Sequence, residues 1–374
     1  MRLIVTGGGT GGHIYPAVAV AKEMQVLLPR ASVLYVGTEL GMESKIVPRE
    51  GIPFRSVRSS GVMGKSAAVA LKGLLNAGMG VFDALRLLRE FRPDVVLGTG
   101  GYASGPVIAA ARFLGIPRAI QEQNAVPGKT NLWLSRISAF SFAAWDYSVR
   151  FFPVPSRVIV TGNPVRRAVL EEVPKAESRR FFDMSEKGPA VLLLGGSRGA
   201  RTLVEAGIEI SRRMPEGASM LFVTGAEYYG EACGALGVMP KDGIDGARAG
   251  NIILRPYVHD MARAYRACDL VIGRAGGMTL AEVTALGLPA VIVPSPNVAG
   301  NHQEYNARAL EDAGAAVVVR EGPNAARAVA DAALGLLGDP ERLAGLSRAS
   351  QRIGKREATT EICRHLIELA GRGK

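Results

Sequence analysis

The chain has 374 residues, enough for two hydrophobic cores, and its 48% apolar and 21% charged content is that of a soluble globular enzyme. A formal net charge of +11 points to an anionic partner, while 6% aromatic residues, with no basic tract interleaved among them, argue against nucleic acid. Cys233, Cys268 and Cys363 form neither a CxxC nor a metal-ligand spacing, which suits a reducing compartment, and no secretory leader is expected before the first strand.

An apolar run at 3–5 predicts the first strand, and 16–28 predicts a helix with Pro16 in its first turn, where a missing N–H costs nothing. A strand at 33–36 follows. The stretch 65–91 predicts a long helix broken near 78–80; Lys72, Asp83 and Arg86 within it argue against a membrane span. Further strands are expected at 94–98, 118–121 and 158–161. Such alternation predicts a parallel sheet covered by helices on both faces. Thr161-Gly162-Asn163-Pro164-Val165-Arg166 then stops the series and is read as a hinge at 162–166. A second series has strands at 190–194, 220–223, 252–254, 270–272, 290–293 and 316–319. Helices at 340–352 and 356–370 close the chain. The plan is an α/β protein of two Rossmann-like doubly wound domains, 1–161 and 167–339, with 340–374 packing back toward the first.

Four glycine-rich turns, at 7–13, 98–102, 195–199 and 273–279, punctuate the two series, and three directly follow an apolar run. A strand that turns through glycine into a helix presents backbone N–H groups at the positive end of the helix dipole, where phosphate binds. Four such turns suggest two phosphate-handling domains facing one cleft.

Gly7, Gly9 and Gly12 also satisfy G-x-G-x-x-G. A dinucleotide-binding oxidoreductase needs an acidic residue ending the second strand; Gly37 stands there and Glu39 comes too late. His13, just past this turn, is either a structural histidine or an acid–base group aimed into the cleft. Ser197 in Gly195-Gly196-Ser197 suits a diphosphate or marks a plain tight turn. The amides of Gly277 and Met278 and the Thr279 hydroxyl also suit phosphate. Glu282, one turn on, suits a ribose diol or merely complements the helix dipole. Asn301-His302-Gln303-Glu304-Tyr305-Asn306 fits sugar hydroxyls or helix capping. Asp-x-Asp, Walker and zinc spacings are all missing, so no metal and no cofactor is expected. A diphosphate leaving group would then rely on amides, dipoles and cations.

Seven motifs in order resemble one family across nearly the whole chain. They are Gly-Gly-Gly-Thr-Gly-Gly-His at 7–13, Gly-Gly-Tyr-Ala-Ser-Gly-Pro at 100–106, Gln-Glu-Gln-Asn at 121–124 and Gly-Asn-Pro-Val-Arg at 162–166. Gly-Gly-Ser-Arg-Gly-Ala-Arg at 195–201, Arg-Ala-Gly-Gly-Met-Thr at 274–279 and Asn-His-Gln-x-x-Asn at 301–306 complete them. Together they resemble the MurG type of family 28 glycosyltransferases. Two positions depart from the pattern: Gln121 stands where that family has histidine, and Arg198 where it has glutamine.

The resemblance implies a GT-B architecture, with the amino-terminal domain taking a lipid acceptor and the carboxyl-terminal domain UDP-GlcNAc. It implies inverting, metal-independent transfer to the 4-hydroxyl of the MurNAc of lipid I, forming lipid II for peptidoglycan synthesis. Carried over by position, Val258 would contact uracil, Glu282 the ribose, and Ser197, Met278 and Thr279 the diphosphate. Gln303, His302, Asn306 and Asn124 would lie near the donor sugar, with Arg166, Thr10, Gly11, Gly12 and His13 also on the donor side. Gly100, Gly101, Tyr102 and Ser104 would form an acceptor loop. His13 is the first choice of base, with Glu122 the alternative.

A lipid-tailed acceptor implies work at the anionic cytoplasmic face of the plasma membrane as a peripheral protein, with cell-wall and division proteins as further partners. In 65–91, Leu71, Leu74, Leu75, Val81, Phe82 and Leu85 are bordered by Lys65, Lys72, Arg86, Arg89 and Arg92. Lys72, Leu75, Phe82, Arg86 and Arg89 are the expected membrane contacts. The alternatives are UDP-GlcNAc 2-epimerase chemistry on a related fold and a nucleotide-sugar sensor without turnover.

Overall fold

The computed structural model describes residues 1–59, 67–195, 199–241 and 246–371, with only the backbone of 67–77. It divides the chain into two compact units, 1–167 with 355–374, and 168–354.

Unit 1 begins with β1 (Arg2–Thr6), α1 (Gly11–Leu27), β2 (Ser32–Gly37), α2 (Glu43–Arg49), β3 (Phe54–Ser56) and α3 (Ala67–Phe91). It continues with β4 (Val95–Gly98), α4 (Gly101–Phe113), β5 (Arg118–Glu122), α5 (Lys129–Ser135), β6 (Phe140–Ala143) and β7 (Val158–Val160). All seven strands are parallel, in the order β3-β2-β1-β4-β5-β6-β7. Alternate residues of each strand face opposite ways. Leu3 and Val5 pack with Ile14 and Val18 of α1, while Ile4 packs with Leu88 of α3 and Val107 of α4. Burial on both faces explains why these strands read as unbroken apolar runs.

After α6 (Arg167–Leu170), unit 2 runs through α7 (Lys175–Phe181), β8 (Ala190–Leu194), α8 (Arg201–Arg213), β9 (Ser219–Val223) and α9 (Tyr229–Ala235). Then come β10 (Ala247–Ala249), β11 (Ile252–Arg255), α10 (Met261–Ala267), β12 (Leu270–Arg274), α11 (Gly277–Ala285) and β13 (Ala290–Val293). Finally there are α12 (His302–Asp312), β14 (Ala316–Val318), α13 (Ala325–Leu337) and α14 (Pro340–Ile353). Its order is β10-β11-β9-β8-β12-β13-β14. The sheet is parallel except for the edge strand β10, which pairs antiparallel with β11.

In each sheet the direction of strand addition reverses at one place, between β1 and β4 and between β8 and β12. Ligands of open α/β sheets bind beyond the carboxyl ends of the strands at such switch points. The glycine turns at 7–13 and 98–102 follow β1 and β4, the turn at 273–279 follows β12, and Gly195 directly follows β8.

Two expectations are corrected. Helix α3 passes through 78–80 without a break: Gly80 is there because the Arg58 carbonyl lies 1.9 Å from where a Cβ would stand. The closing segment 340–374 also divides. Helix α14 stays with unit 2, where Ser347 donates to Gly287 O over 2.7 Å. Only α15 (Ala358–Gly371) joins unit 1, burying Ile362 and Leu366 in the core beside α1, with Thr359 Oγ1 donating to Val165 O at 2.7 Å.

Candidate active site

The turns after β1 and β4 touch. Gly8 N donates to Gly100 O over 3.3 Å, and Gly101, at φ +76°, has Gly8 O 2.0 Å from where a Cβ would lie. A side chain there would force the loops apart, which is the reason for glycine. Below the first turn the buried Glu43 carboxylate accepts from Gly9 N at 3.1 Å, Thr38 N at 3.0 Å and Thr38 Oγ1 at 2.6 Å. Tyr35 donates its hydroxyl to Gly7 O at 2.9 Å. Burial first, and the Glu43 charge second, push the Tyr35 phenol well above its ordinary range, so it stays a donor.

His13 lies in the first turn of α1, half-buried, with Thr10 and Gly12 exposed beside it. Its Nδ1 is 3.0 Å from Thr99 O and 3.0 Å from Gln123 Oε1, both acceptors. The neutral ring therefore carries its proton on Nδ1, and Nε2 is the basic nitrogen.

Glu122 fills another role. It is buried, and Oε1 accepts from Asn124 N (2.9 Å) and Asn124 Nδ2 (3.2 Å), while Oε2 accepts from Gly128 N (3.0 Å) and Asn131 Nδ2 (2.8 Å). A carboxylate enclosed by four donors orders the 122–131 loop and has no face for a substrate proton, which corrects its reading as a base. Ser104, expected in the acceptor loop, is wholly buried; its Oγ accepts from Gly100 N at 3.1 Å and donates to Thr6 O at 2.9 Å. It shapes the loop. Tyr102 presents an exposed ring, and its carbonyl is held by Ser59 Oγ at 2.7 Å. Arg166 belongs to this unit too, its guanidinium 4.9 Å from the ring centre of Tyr15 on α1.

In unit 2, α11 starts at Gly277 directly behind the β12 turn, so helix geometry aims the N–H groups of Met278 and Thr279 out of its amino end. Both residues are partly accessible. Asn306 of α12 is wholly buried and donates to Ala275 O at 3.1 Å, so it braces this turn. Glu282 keeps a small accessible edge, and its Oε2 accepts from Tyr265 OH at 2.9 Å. Gln303 Oε1 accepts from Ser295 N at 2.9 Å, while no described residue engages its Nε2, the end left to meet a hydroxyl. His302 donates from Nδ1 to Ala299 O at 2.8 Å. Val258 is nearly buried in the loop after β11. Ser197 and Arg198 lie outside the described residues.

A cavity of about 770 Å³ opens elsewhere in unit 2, at the amino ends of β8, β12 and β13, away from the glycine turns. Its Lys175 and Arg179 pair with Asp269, so it offers little net charge to a phosphate. Among the described residues no group of His, Cys, Asp and Glu is placed to hold a metal ion. No described helix is long and apolar enough to cross a membrane.

Gln123, Asn131, Asn163 and Glu43 take parts in the site that no motif of the sequence assigns to them. Gln121 and Gln123 stand two apart at the exit of a strand, hence on one face, and that spacing was a readable signal.

Residues 3–140 match the glycosyltransferase family 28 N-terminal domain, and residues 190–362 match the family 28 C-terminal domain. The chain is 42% identical over 375 residues to the UDP-N-acetylglucosamine–N-acetylmuramyl-(pentapeptide) pyrophosphoryl-undecaprenol N-acetylglucosamine transferase of Desulforudis audaxviator, covering 100% of both chains. It is similar to the crystal structure of Acinetobacter baumannii MurG, with a TM-score of 0.74 and 28% identity over 98% of this chain and 99% of that one. UDP-GlcNAc 2-epimerase of Neisseria meningitidis, bound to UDP-GlcNAc, gives a TM-score of 0.68 at 16% identity, over 98% and 100% of the two chains. At that identity the likeness is one of fold alone.

Proposed function

The chain belongs to glycosyltransferase family 28, and from that premise we propose that it transfers N-acetylglucosamine from UDP-GlcNAc to the MurNAc 4-hydroxyl of lipid I, forming lipid II. The observation that carries this reading is 42% identity, end to end, with a transferase of that name.

The reaction forms a bond from the acceptor oxygen to the anomeric carbon and breaks the bond from that carbon to the diphosphate. As the acceptor oxygen attacks, its proton passes to His13 Nε2, the ring nitrogen left unprotonated by the Thr99 and Gln123 contacts. The leaving UDP takes up the electron pair, and charge builds on its β-phosphate. The amides opening α11 and the Thr279 hydroxyl meet that charge, with the 195–199 turn assisting. Glu282 holds the ribose, the loop at Val258 meets the uracil, and Gln303 Nε2 meets a sugar hydroxyl. None of these steps calls on a metal ion.

A lipid-tailed acceptor and a nucleotide-sugar donor support work at the cytoplasmic membrane face. Phe82, 67% exposed, with Arg86 and Arg89 at helical spacing beside it on α3, supports docking through this face. Lys72 and Leu75 belong to the same expectation, but their side chains lie outside the described residues.

UDP release with and without a lipid I analogue tests the reading. Release that depends on the acceptor is expected, and release at the same rate without acceptor overturns it.

A further inference from the structure

The neighbours of His13 form a closed chain of neutral amides. Gln123 Oε1 accepts from His13 Nδ1 at 3.0 Å. Gln123 Nε2 donates to Gln121 Oε1, and to Thr99 O at 2.8 Å and Gln121 O at 3.2 Å. Gln121 Nε2 donates to Asn163 Oδ1 at 2.8 Å and to Glu122 O at 3.1 Å. Asn163 Nδ2 closes the chain on Gln123 O at 3.0 Å. All three amide residues are buried, with 0–3% of their surface exposed.

Each amide in the chain has one tenable orientation. Turning over the Gln123 amide would set its oxygen against three other oxygens and its NH₂ against the ring. Turning over Gln121 would set its oxygen against Asn163 Oδ1 and Glu122 O. Such buried polar clashes leave several groups unsatisfied, at about 1–3 kcal/mol each. The geometry points to Gln123 and Gln121 as positioning residues that hold His13 in the Nδ1–H form, with Nε2 as the base. This inference rests on the transferase reading for its catalytic consequence and on geometry alone for the tautomer. The partner of Nδ1 is an amide, not a carboxylate. It orients the ring through a neutral contact, and the chain of amides itself has no group that titrates.

Nitrogen-15 spectra of histidine rings test the tautomer directly in the full-length protein. The chain has four histidines, so a His13→Gln control assigns the signal. Above the pH at which the ring loses its charge, a protonated Nδ1 and a bare Nε2 are expected; a ring protonated mainly at Nε2 overturns the inference whether or not transfer is observed.

Gln123→Met keeps the length and removes the acceptor, leaving only Thr99 O. The Nε2–H form should then appear. The kcat should fall roughly 10- to 100-fold, part of the ~10²–10⁴ that a positioned base contributes, with KM for UDP-GlcNAc within about twofold. An unchanged tautomer with unchanged kcat removes Gln123 from this role.

Gln121→His extends the test along the chain. A neutral imidazole still offers one donor and one acceptor, so transfer should persist at high pH. Once protonated it cannot accept from Gln123 Nε2, so an additional acid limb should enter the kcat profile. A profile that superimposes on the parent's shows that the chain does not reach Gln121. Absent transfer by the parent protein would contradict the functional reading while leaving the spectroscopic result to stand or fall separately.

Discussion

His13 Nδ1 lies 3.0 Å from Gln123 Oε1, a contact that spans 110 residues and joins the first turn of α1 to the exit of β5. It leaves Nε2 as the basic nitrogen, so His13→Ala should lower turnover by roughly 10²–10⁴-fold, the range of a positioned acid–base group. Affinity for UDP-GlcNAc should fall much less. Steady-state kinetics with calorimetric binding check both, and near-normal turnover would remove His13 from the chemistry.

Glu122 behaves differently in this account. Its carboxylate is enclosed by Asn124, Gly128 and Asn131, and truncation to alanine removes the charged acceptor that their donors share. Glu122→Ala should cost about 2–4 kcal/mol of stability in a denaturant titration, from the loss of several buried hydrogen bonds to a charged group. A variant of full stability that lost turnover would return Glu122 to the role of base.

Glu282 and Gln303 should separate by ligand. On the proposed reading Glu282→Ala removes a ribose contact shared by UDP and UDP-GlcNAc, and it should weaken both by about 1.5–3 kcal/mol. Gln303 is proposed to meet only the sugar, so Gln303→Ala should weaken UDP-GlcNAc more than UDP. Calorimetry showing equal losses for both ligands in the Gln303 variant contradicts its assignment.

Much of this arrangement was legible in the chain because the signals are local. Strands buried on both faces write themselves as apolar runs, and phosphate turns write themselves as glycine behind such runs. The short strands β3, β6 and β10 escaped notice because arginine or serine interrupts each of them, so none forms an apolar run. The buried parts of Asn306, Ser104 and Glu122 were hidden for another reason. A motif gives residue identity and order, whereas whether a polar side chain braces a loop or meets a ligand depends on partners far off in sequence. Glu43 is the clearest case, since it supports Gly9 from 34 residues away.

Binding to vesicles tests the face around Phe82. Salt-sensitive association with anionic vesicles and little with neutral ones is expected, at about 1 kcal/mol per basic residue near the surface. Replacing Lys72, Arg86 and Arg89 with glutamate should abolish it and leave UDP-GlcNAc affinity intact. Undiminished binding by the triple variant places the docking face elsewhere.

Chelation addresses the departure of the diphosphate. The amides opening α11 are assigned the charge that a divalent cation would otherwise meet, so transfer should survive EDTA. Complete loss, restored by magnesium or manganese, would refute that assignment.

Product identity tests the central claim most directly. The protein is incubated with UDP-GlcNAc and a lipid I analogue, and the acceptor and nucleotide fractions are analysed by mass and proton spectra. The expected product is an acceptor that gains one N-acetylglucosamine, β-linked at the MurNAc 4-hydroxyl, with UDP released in equal amount. An unchanged acceptor alongside a UDP-sugar epimerised at C2 would contradict it.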